Sequence, residues 1–283
     1  MDAIHLRNVD FSYSNKAKLL SNVSLQIPSG HIHGLLGKNG EGKSTLLKLI
    51  AGLLFPQKGA VDVLAFEPRK RHPEMLRDIY FLSEELPVST LSIAGFEKVY
   101  APFYPNFSAE QFENHLKEFD ILSKNWKMNQ LSHGQKKKVI VAFALATRTK
   151  ILLMDEPTNG LDIPSKGQFR RMAASALEEE RCIIISTHQV RDLDSLIDTI
   201  IIMDEHEIVI NESIDTITDR LLFRVKETNE PDDTVIHSED TLRGIYQVCE
   251  NRMHEDSKLD IELLFNSVYI NKKRIQQIFH PQA

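Results

Sequence analysis

Nine residues constrain the fold of this chain more than any other feature. Residues 37–45 read Gly-Lys-Asn-Gly-Glu-Gly-Lys-Ser-Thr, which is a glycine and four free positions followed by Gly-Lys-Ser. Glycines let the backbone curl until successive N–H groups point at one anion. Lys43 can then reach the β- and γ-phosphates, and the Ser44 hydroxyl can ligate Mg²⁺. A glycine-rich turn could match by chance, but a strand predicted over 32–36 and a helix predicted over 45–51 flank this one. We therefore predict a P-loop nucleotide site, with the helix dipole facing the phosphates.

Composition limits the class of protein. The chain has 283 residues and a net charge of −6, so its length allows one large domain or two modest ones, and its charge gives no reason to expect nucleic acid. The longest apolar run, residues 139–146, is too short to span a bilayer. Cys182 and Cys249 fit no metal or disulfide spacing and are predicted to be buried, reduced thiols. These features predict a soluble intracellular protein.

The order of the predicted elements indicates an α/β fold. Residues 4–13 and 23–27 have strand patterns, and this antiparallel start suggests a β-layer beside a parallel core. Further strands are predicted over 59–64, 79–82, 151–154 and 182–186, and an edge hairpin over 200–203 and 207–210. Helices over 136–146 and about 165–179 alternate with the later strands, which predicts a doubly wound parallel sheet.

Two regions depart from this rhythm. From about 84 to 131, prolines at 87, 102 and 105 separate helical pieces, which predicts an inserted helical subdomain. Within it Phe112, Leu116 and Phe119 share one helix face, and we favour core packing over a binding surface for this stripe. After residue 211 the sequence predicts a small α/β appendage with a final amphipathic helix, and its acidic stretch 227–233 is predicted to be a loop.

A second chemical signal follows the strand over 151–154. A strand that ends in Asp155 beside a P-loop places a carboxylate where Mg²⁺ needs an outer ligand. Glu156 lies next to it and could polarise an attacking water as a general base. The alternative is an acidic strand end in solvent, which would be preferred if the P-loop were absent.

A third signal is Leu131-Ser132-His133-Gly134-Gln135 at the start of a predicted helix. Taken alone, Ser132 is simply an N-cap, and His188 after Ser-Thr is a loop residue. The ordered set of P-loop, Leu-Ser-x-Gly-Gln, Asp-Glu-Pro and Ser-Thr-His nevertheless resembles one superfamily.

That superfamily is the ATP-binding cassette (ABC) ATPases, and the resemblance covers residues 1 to about 212. It implies a P-loop NTPase parallel sheet with an antiparallel β-layer and a helical insert over about 85–145, followed by a C-terminal extension over 213–283. It implies ATP and Mg²⁺ as ligands, with Lys43, Glu156 and His188 catalytic, and with Ser44, Asp155 and Glu84 around the metal. The implied nucleotide contacts are Tyr13, Gly37, Lys38, Asn39, Gly40, Glu41, Gly42, Lys43, Ser44, Thr45, Ser132, Gly134, Gln135 and Asp162.

The resemblance also implies a mechanism. Two cassettes would associate head to tail, so that each ATP lies between one P-loop and the signature (131–135) of the other subunit.

Three positions depart from the family pattern. Glu84 stands where most members have a glutamine, and Lys38 and Glu41 replace a proline and a small residue in the P-loop, where their side chains are expected to point outward.

The branch of the superfamily is less defined by the sequence. The segments 103–107 and 259–265 resemble elements of the exporter branch, although the second could equally be an amphipathic helix that packs on its own chain. The expected protein is the ATPase subunit of an exporter. It would be a homodimer or heterodimer, bound to a membrane-spanning permease on the cytoplasmic face. The alternatives are a soluble ABC-type assembly factor and a regulatory module that holds ATP without turnover.

Overall fold

The computed structural model describes residues 2–14, 18–86, 89–193, 195–228 and 232–279. Pro87 and residues 229–231 of the acidic stretch lie outside this range. The strands are β1 (Asp2–Phe11), β2 (Leu20–Pro28), β3 (His31–Leu36), β4 (Lys58–Val63), β5 (Ile79–Leu82), β6 (Ile151–Asp155), β7 (Cys182–Thr187), β8 (Thr199–Asp204), β9 (Glu207–Ser213), β10 (Leu221–Lys226), β11 (Val235–Thr241) and β12 (Gly244–Glu250). The α-helices are α1 (Lys43–Ile50), α2 (Pro73–Leu76), α3 (Ile93–Tyr100), α4 (Ala109–Glu118), α5 (His133–Ala146), α6 (Ile163–Ser175), α7 (Ile214–Arg220) and α8 (Ile261–Phe279).

A six-stranded sheet in the order β5-β6-β7-β3-β8-β9 forms the centre of the molecule. All neighbours are parallel except β8 and β9, which form the predicted hairpin with β9 at the edge. Both faces are covered, as the continuous apolar runs predict. Along β6, for example, Ile151 and Leu153 enter the core beneath α1, while Leu152 and Met154 enter the core beneath α5. The parallel α/β sheet is confirmed.

The predicted antiparallel layer is the three-stranded sheet β2-β1-β4. Its inner face shares one core with α1 and the central sheet. This packing places β1 and the start of β2 alongside the P-loop.

The helical insert packs on α5 through aromatic rings. Phe143 of α5 lies 5.0 to 6.1 Å, between ring centroids, from Phe96, Tyr104, Phe107 and Phe112. The face carrying Phe112, Leu116 and Phe119 is fully buried, so the predicted core role of this stripe is confirmed.

The C-terminal part is also α/β. Strands β10, β12 and β11 form a second antiparallel sheet, and α8 packs across it and across β9. Leu263, Leu264 and Val268 of α8 are buried, so the segment over 259–265 leads into an amphipathic helix that packs on its own chain. Cys182 and Cys249 are buried and form no disulfide. Among the described residues, no helix combines the length and the hydropathy needed to cross a membrane.

Candidate functional site

The P-loop connects β3, in the middle of the sheet, to the first turn of α1. Gly40 and Gly42 have φ angles of +91° and +104°, a left-handed conformation that glycine adopts without strain. A side chain at Gly42 would also meet Leu20 at 2.9 Å. The helix begins at Lys43, two residues earlier than predicted, so its free N–H groups lie within the loop that we expect to hold phosphate.

Lys43 spans the loop from inside. Its Nζ donates to the carbonyl oxygens of Gly37 at 2.7 Å and Lys38 at 3.1 Å. Burial lowers the pKa of Lys43, while the carboxylates of Glu156 and Asp155 oppose that shift. Lys43 is therefore held at the loop by weak, neutral acceptors, and a phosphate would be a stronger partner for its charge.

A cleft of about 280 Å³ opens beside this lysine. Its lining residues are Leu19, Asn39, Gly40, Gly42, Lys43, Ser44, Thr45, Glu84, Asp155 and Glu156. Residues that follow β3, β5 and β6 thus meet at one end of the parallel sheet, because these three strands all run toward it, and Leu19, just before β2, joins them. The structure brings together every predicted catalytic and metal residue except His188 in this lining.

The donor set fits Mg²⁺. Ser44, Asp155 and Glu84 offer hydroxyl and carboxylate oxygens, the ligands this cation prefers. Asp155 is buried, and its Oδ1 accepts a hydrogen bond from Ser186 Oγ. Glu84 Oε1 accepts one from Asn159 Nδ2 at 3.1 Å. No cluster of three His, Cys, Asp or Glu residues suited to a metal occurs in the described part of the chain. A protein with so few ligands of its own suits Mg²⁺, which keeps waters and takes phosphate oxygens.

Glu156 and His188 form a tight pair at the same edge. Glu156 Oε1 accepts from the backbone N–H of His188 at 2.9 Å and lies 2.7 Å from its Nδ1, while Oε2 accepts from Thr187 Oγ1 at 3.1 Å. An ionised carboxylate can only accept, so the His188 ring carries hydrogen on Nδ1. Glu156 also has a φ of +48°, a left-handed backbone conformation that is uncommon for non-glycine residues. The pairing joins the predicted general base, Glu156, to the predicted catalytic histidine, His188.

Lys137 is a buried charge that the sequence reasoning missed. It has no solvent exposure, and its Nζ has no hydrogen-bond partner within the described residues. Burial lowers its pKa, and the charges of Glu84, Asp155 and Glu156 oppose that shift. Glu84 therefore has a second buried lysine near it besides Lys43. Nothing in the sequence singled out Lys137, because it stands in the basic run 136–138.

The signature lies apart from the cleft. None of residues 131–135 is among the described residues that line it. Ser132 and Gln135 form a capping box on α5: Ser132 Oγ accepts from Gln135 N–H at 3.2 Å, and Gln135 Oε1 accepts from Ser132 N–H at 3.0 Å. Both residues of this box and Gly134 are at least partly exposed. The chain thus presents this helix N-terminus to the outside rather than to its own P-loop.

The segment after Glu156 packs on the signature. A side chain at Gly134 would meet the carbonyl of Gly160 at 3.0 Å, and one at Gly160 would meet His133 at 2.8 Å. Asp162 caps α6 by accepting from Ser165 N–H at 2.9 Å, and hydrogen bonds from the Ser165 side chain and backbone lower the pKa of Asp162. Its contact with nucleotide stays a prediction.

Tyr13 stands at the rim. Its ring is 64% exposed, its edge packs on Phe11, and its hydroxyl lies 3.1 Å from Thr45 Oγ1. A largely open aromatic face beside the start of α1 is available for stacking on a base.

The expectation that Lys38 and Glu41 point outward is wrong for Glu41, which is only partly exposed, whereas Lys38 is exposed as expected. Lys38 Nζ lies 3.7 Å from the ring centroid of Tyr269 on α8. Glu41 accepts from the backbone N–H of His206, in the β8–β9 turn, at 3.1 Å. Sequence reasoning could not pair residues more than 160 positions apart, because only the tertiary fold brings them together.

The fold and this cleft define a P-loop NTPase of α/β type. Comparison with known proteins identifies its kind. The family described as ABC transporter matches residues 20–159. The ABC transporter ATP-binding protein NatA of Bacillus subtilis is 30% identical over 207 residues, which cover 71% of this chain and 84% of NatA. YdbJ of the same organism, an uncharacterized ABC transporter ATP-binding protein, is 28% identical over 230 residues, or 79% of this chain and 74% of YdbJ.

A solved structure described as the ATP binding subunit of an ABC transporter has the same fold. Its TM-score is 0.69 at 22% identity, over 76% of this chain and 91% of that one. The chain belongs to the ABC transporter family of ATP-binding proteins.

Proposed function

We propose that this protein is the ATP-hydrolysing subunit of an ABC exporter and that it acts as a head-to-tail dimer on the cytoplasmic face of a membrane. The observation that carries the proposal is one cleft in which Lys43, Asp155 and Glu156 converge, with His188 bonded to Glu156 at its edge. The proposal includes the division of the chain into a cassette over 1–212, with its insert over about 85–145, and an extension over 213–283.

In this proposal each group has one task. The P-loop N–H groups and Lys43 hold the β- and γ-phosphates, and Tyr13 stacks on adenine. Ser44, Asp155 and Glu84 would hold Mg²⁺, which neutralises charge on the phosphate oxygens when bound. Glu156 takes the proton of a water whose oxygen attacks the γ-phosphorus. The bond from that phosphorus to the bridging oxygen breaks, and ADP and inorganic phosphate result. His188 orients Glu156 and the γ-phosphate.

The arrangement of the signature supports a composite site. Ser132, Gly134 and Gln135 form an exposed helix N-terminus, which is a ready anion site, yet they do not line the cleft of their own chain. A second molecule placed head to tail would bring this end, with Asp162 nearby, to the γ-phosphate. Removal of that phosphate by hydrolysis would then release the dimer.

An apolar groove supports a membrane partner. A cavity of about 660 Å³ lies between the helical insert and the region of α1, α2 and β5. Leu53 and Phe103 in its wall are 51% and 66% exposed. Exposed apolar side chains that flank one groove form a patch typical of an interaction site. Phe103 also begins the segment 103–107 that resembles the exporter branch. We assign this groove to the permease subunit.

The test is recovery of the protein in the membrane fraction of its native cells. Wild-type protein is expected to be retained and Phe103→Asp to be lost. Leu122→Asp, at a still more exposed apolar site outside the groove, is expected to be retained. Equal retention of both variants would remove the groove from the interface. A complex with a soluble assembly partner and no membrane protein would overturn the transport role.

A further inference from the structure

The C-terminal helix reaches the P-loop. Tyr269 of α8 accepts a hydrogen bond from the backbone N–H of Lys38 at 2.9 Å and donates one to the carbonyl of Met203 at 3.3 Å. Burial raises the pKa of Tyr269 to about 12, so its hydroxyl keeps the proton that it donates. A residue more than 200 positions away thus binds the loop that holds phosphate.

The peptide that Tyr269 binds is held at both ends. Its N–H, from Lys38, bonds to Tyr269, and its carbonyl, from Gly37, accepts from Lys43 Nζ at 2.7 Å. A side chain at Gly37 would meet the Met203 carbonyl at 3.1 Å, so this peptide also lies tightly against β8. When phosphate attracts Lys43, Tyr269 still fixes the orientation of the peptide.

The Lys38 side chain makes a second contact with Tyr269. Its ammonium lies 3.7 Å from the ring centroid, well within the range of a cation–π interaction. Tyr269 therefore holds Lys38 through both its backbone and its side chain.

The β8–β9 turn connects the same elements independently. Lys272 of α8 pairs with Glu205 at 3.0 Å and lies 3.7 Å from both Asp204 and Glu207. From the other side, Glu41 of the P-loop accepts from the backbone N–H of His206. The turn is thus tied to the C-terminal helix and to the P-loop at once.

We propose that Tyr269 is a positioning residue for the nucleotide site and that, through it, residues 214–279 set the affinity of the P-loop for ATP. The proposal rests on the binding of ATP at this loop. A loop whose N–H groups already converge loses less conformational freedom on binding than a loose one. Because Tyr269 fixes the first peptide of the loop, its loss should weaken binding without touching the reacting groups. By linkage, bound ATP should in turn stabilise α8.

The experiment uses the full chain and measures the Kd for MgATP together with KM and kcat. Tyr269→Phe removes only the hydroxyl and both of its hydrogen bonds, and about a fivefold weaker Kd is expected from the loss of the one to the P-loop. Tyr269→Leu also removes the ring beneath Lys38, and about a further threefold loss is expected. KM should rise in step while kcat stays within about twofold, because Glu156 and His188 are unaffected. Ile270→Ala, an exposed neighbour on α8, is the matched control and should bind as the wild type does.

Hydrogen exchange separates positioning from simple packing. ATP is expected to slow amide exchange in residues 261–279 of the wild type and of Ile270→Ala. In Tyr269→Leu, ATP is expected to leave the exchange of these amides unchanged. If Tyr269→Leu does not fold, Tyr269→Phe, which keeps the packing, decides the question by its Kd. Wild-type Kd in Tyr269→Phe, or a lower unfolding temperature with unchanged Kd, overturns the role of Tyr269. Failure of the wild type itself to bind ATP would instead overturn the proposed function.

Discussion

The substitution Glu156→Gln tests the catalytic core most directly. In the structure, Glu156 Oε1 accepts twice from His188 and Oε2 accepts from Thr187. Glutamine has the same shape and can keep its oxygen toward His188, while the Thr187 hydroxyl can rotate to accept from the new amide. The structural loss is therefore confined to weaker, uncharged hydrogen bonds, about 1 kcal/mol in the free energy of unfolding.

The catalytic loss should be far larger. An amide cannot take a proton from water, and loss of a general base costs about 10²–10⁴ in rate, which corresponds to roughly 3–5 kcal/mol in the activation barrier. ATP binding should be kept, because Lys43 and the P-loop are unchanged. We therefore expect a variant that binds ATP, forms the proposed dimer in its presence and turns over very slowly.

The assays are phosphate release, light scattering after gel filtration with and without MgATP, and thermal unfolding. Glu85→Gln is the matched control, since it removes a nearby exposed carboxylate that does not line the cleft. Hydrolysis within a few-fold of the wild type would exclude Glu156 as the base. A loss of activity matched by loss of folded protein would mean that the side chain is structural.

Two further predictions concern stability. His33 is fully buried, with Nε2 3.0 Å from the Pro28 carbonyl, and burial lowers its pKa to about 4. In the unfolded chain this histidine binds its proton near pH 6.5. The free energy of unfolding should therefore be highest above pH 6.5 and fall by about 2 kcal/mol between pH 7 and pH 5. Denaturant unfolding at both values checks this, and a His33→Gln variant that shows the same fall would contradict it. Phe143→Ala should cost about 3–5 kcal/mol because the ring is the centre of the aromatic cluster of the insert. Leu122→Ala, at an exposed site, should cost almost nothing in the same measurement, and equal losses would refute the packing argument.

The fold class and most of the cleft could be predicted from the amino-acid sequence. Local patterns carry this information: the glycines and Gly-Lys-Ser of the P-loop, the apolar run that ends in Asp155, and the strand that ends at Thr187. Parallel strands bring their carboxyl ends to one edge, so residues that follow β3, β5 and β6 were bound to meet there. The buried stripe on α4 was predictable from a local pattern too, because helical spacing alone defines which residues share its face.

The remaining contacts of the site depend on how distant parts of the chain pack. Lys38 and Glu41 looked like outward-facing loop residues, yet Tyr269 and His206 hold them. Lys137 looked like one more lysine in a basic run, yet it is fully buried near the acidic residues of the cleft. These contacts join positions that are far apart in sequence, and no local periodicity or spacing encodes them. The physical reason is that a side chain's partner depends on how separate elements pack, which the chain settles only when it folds.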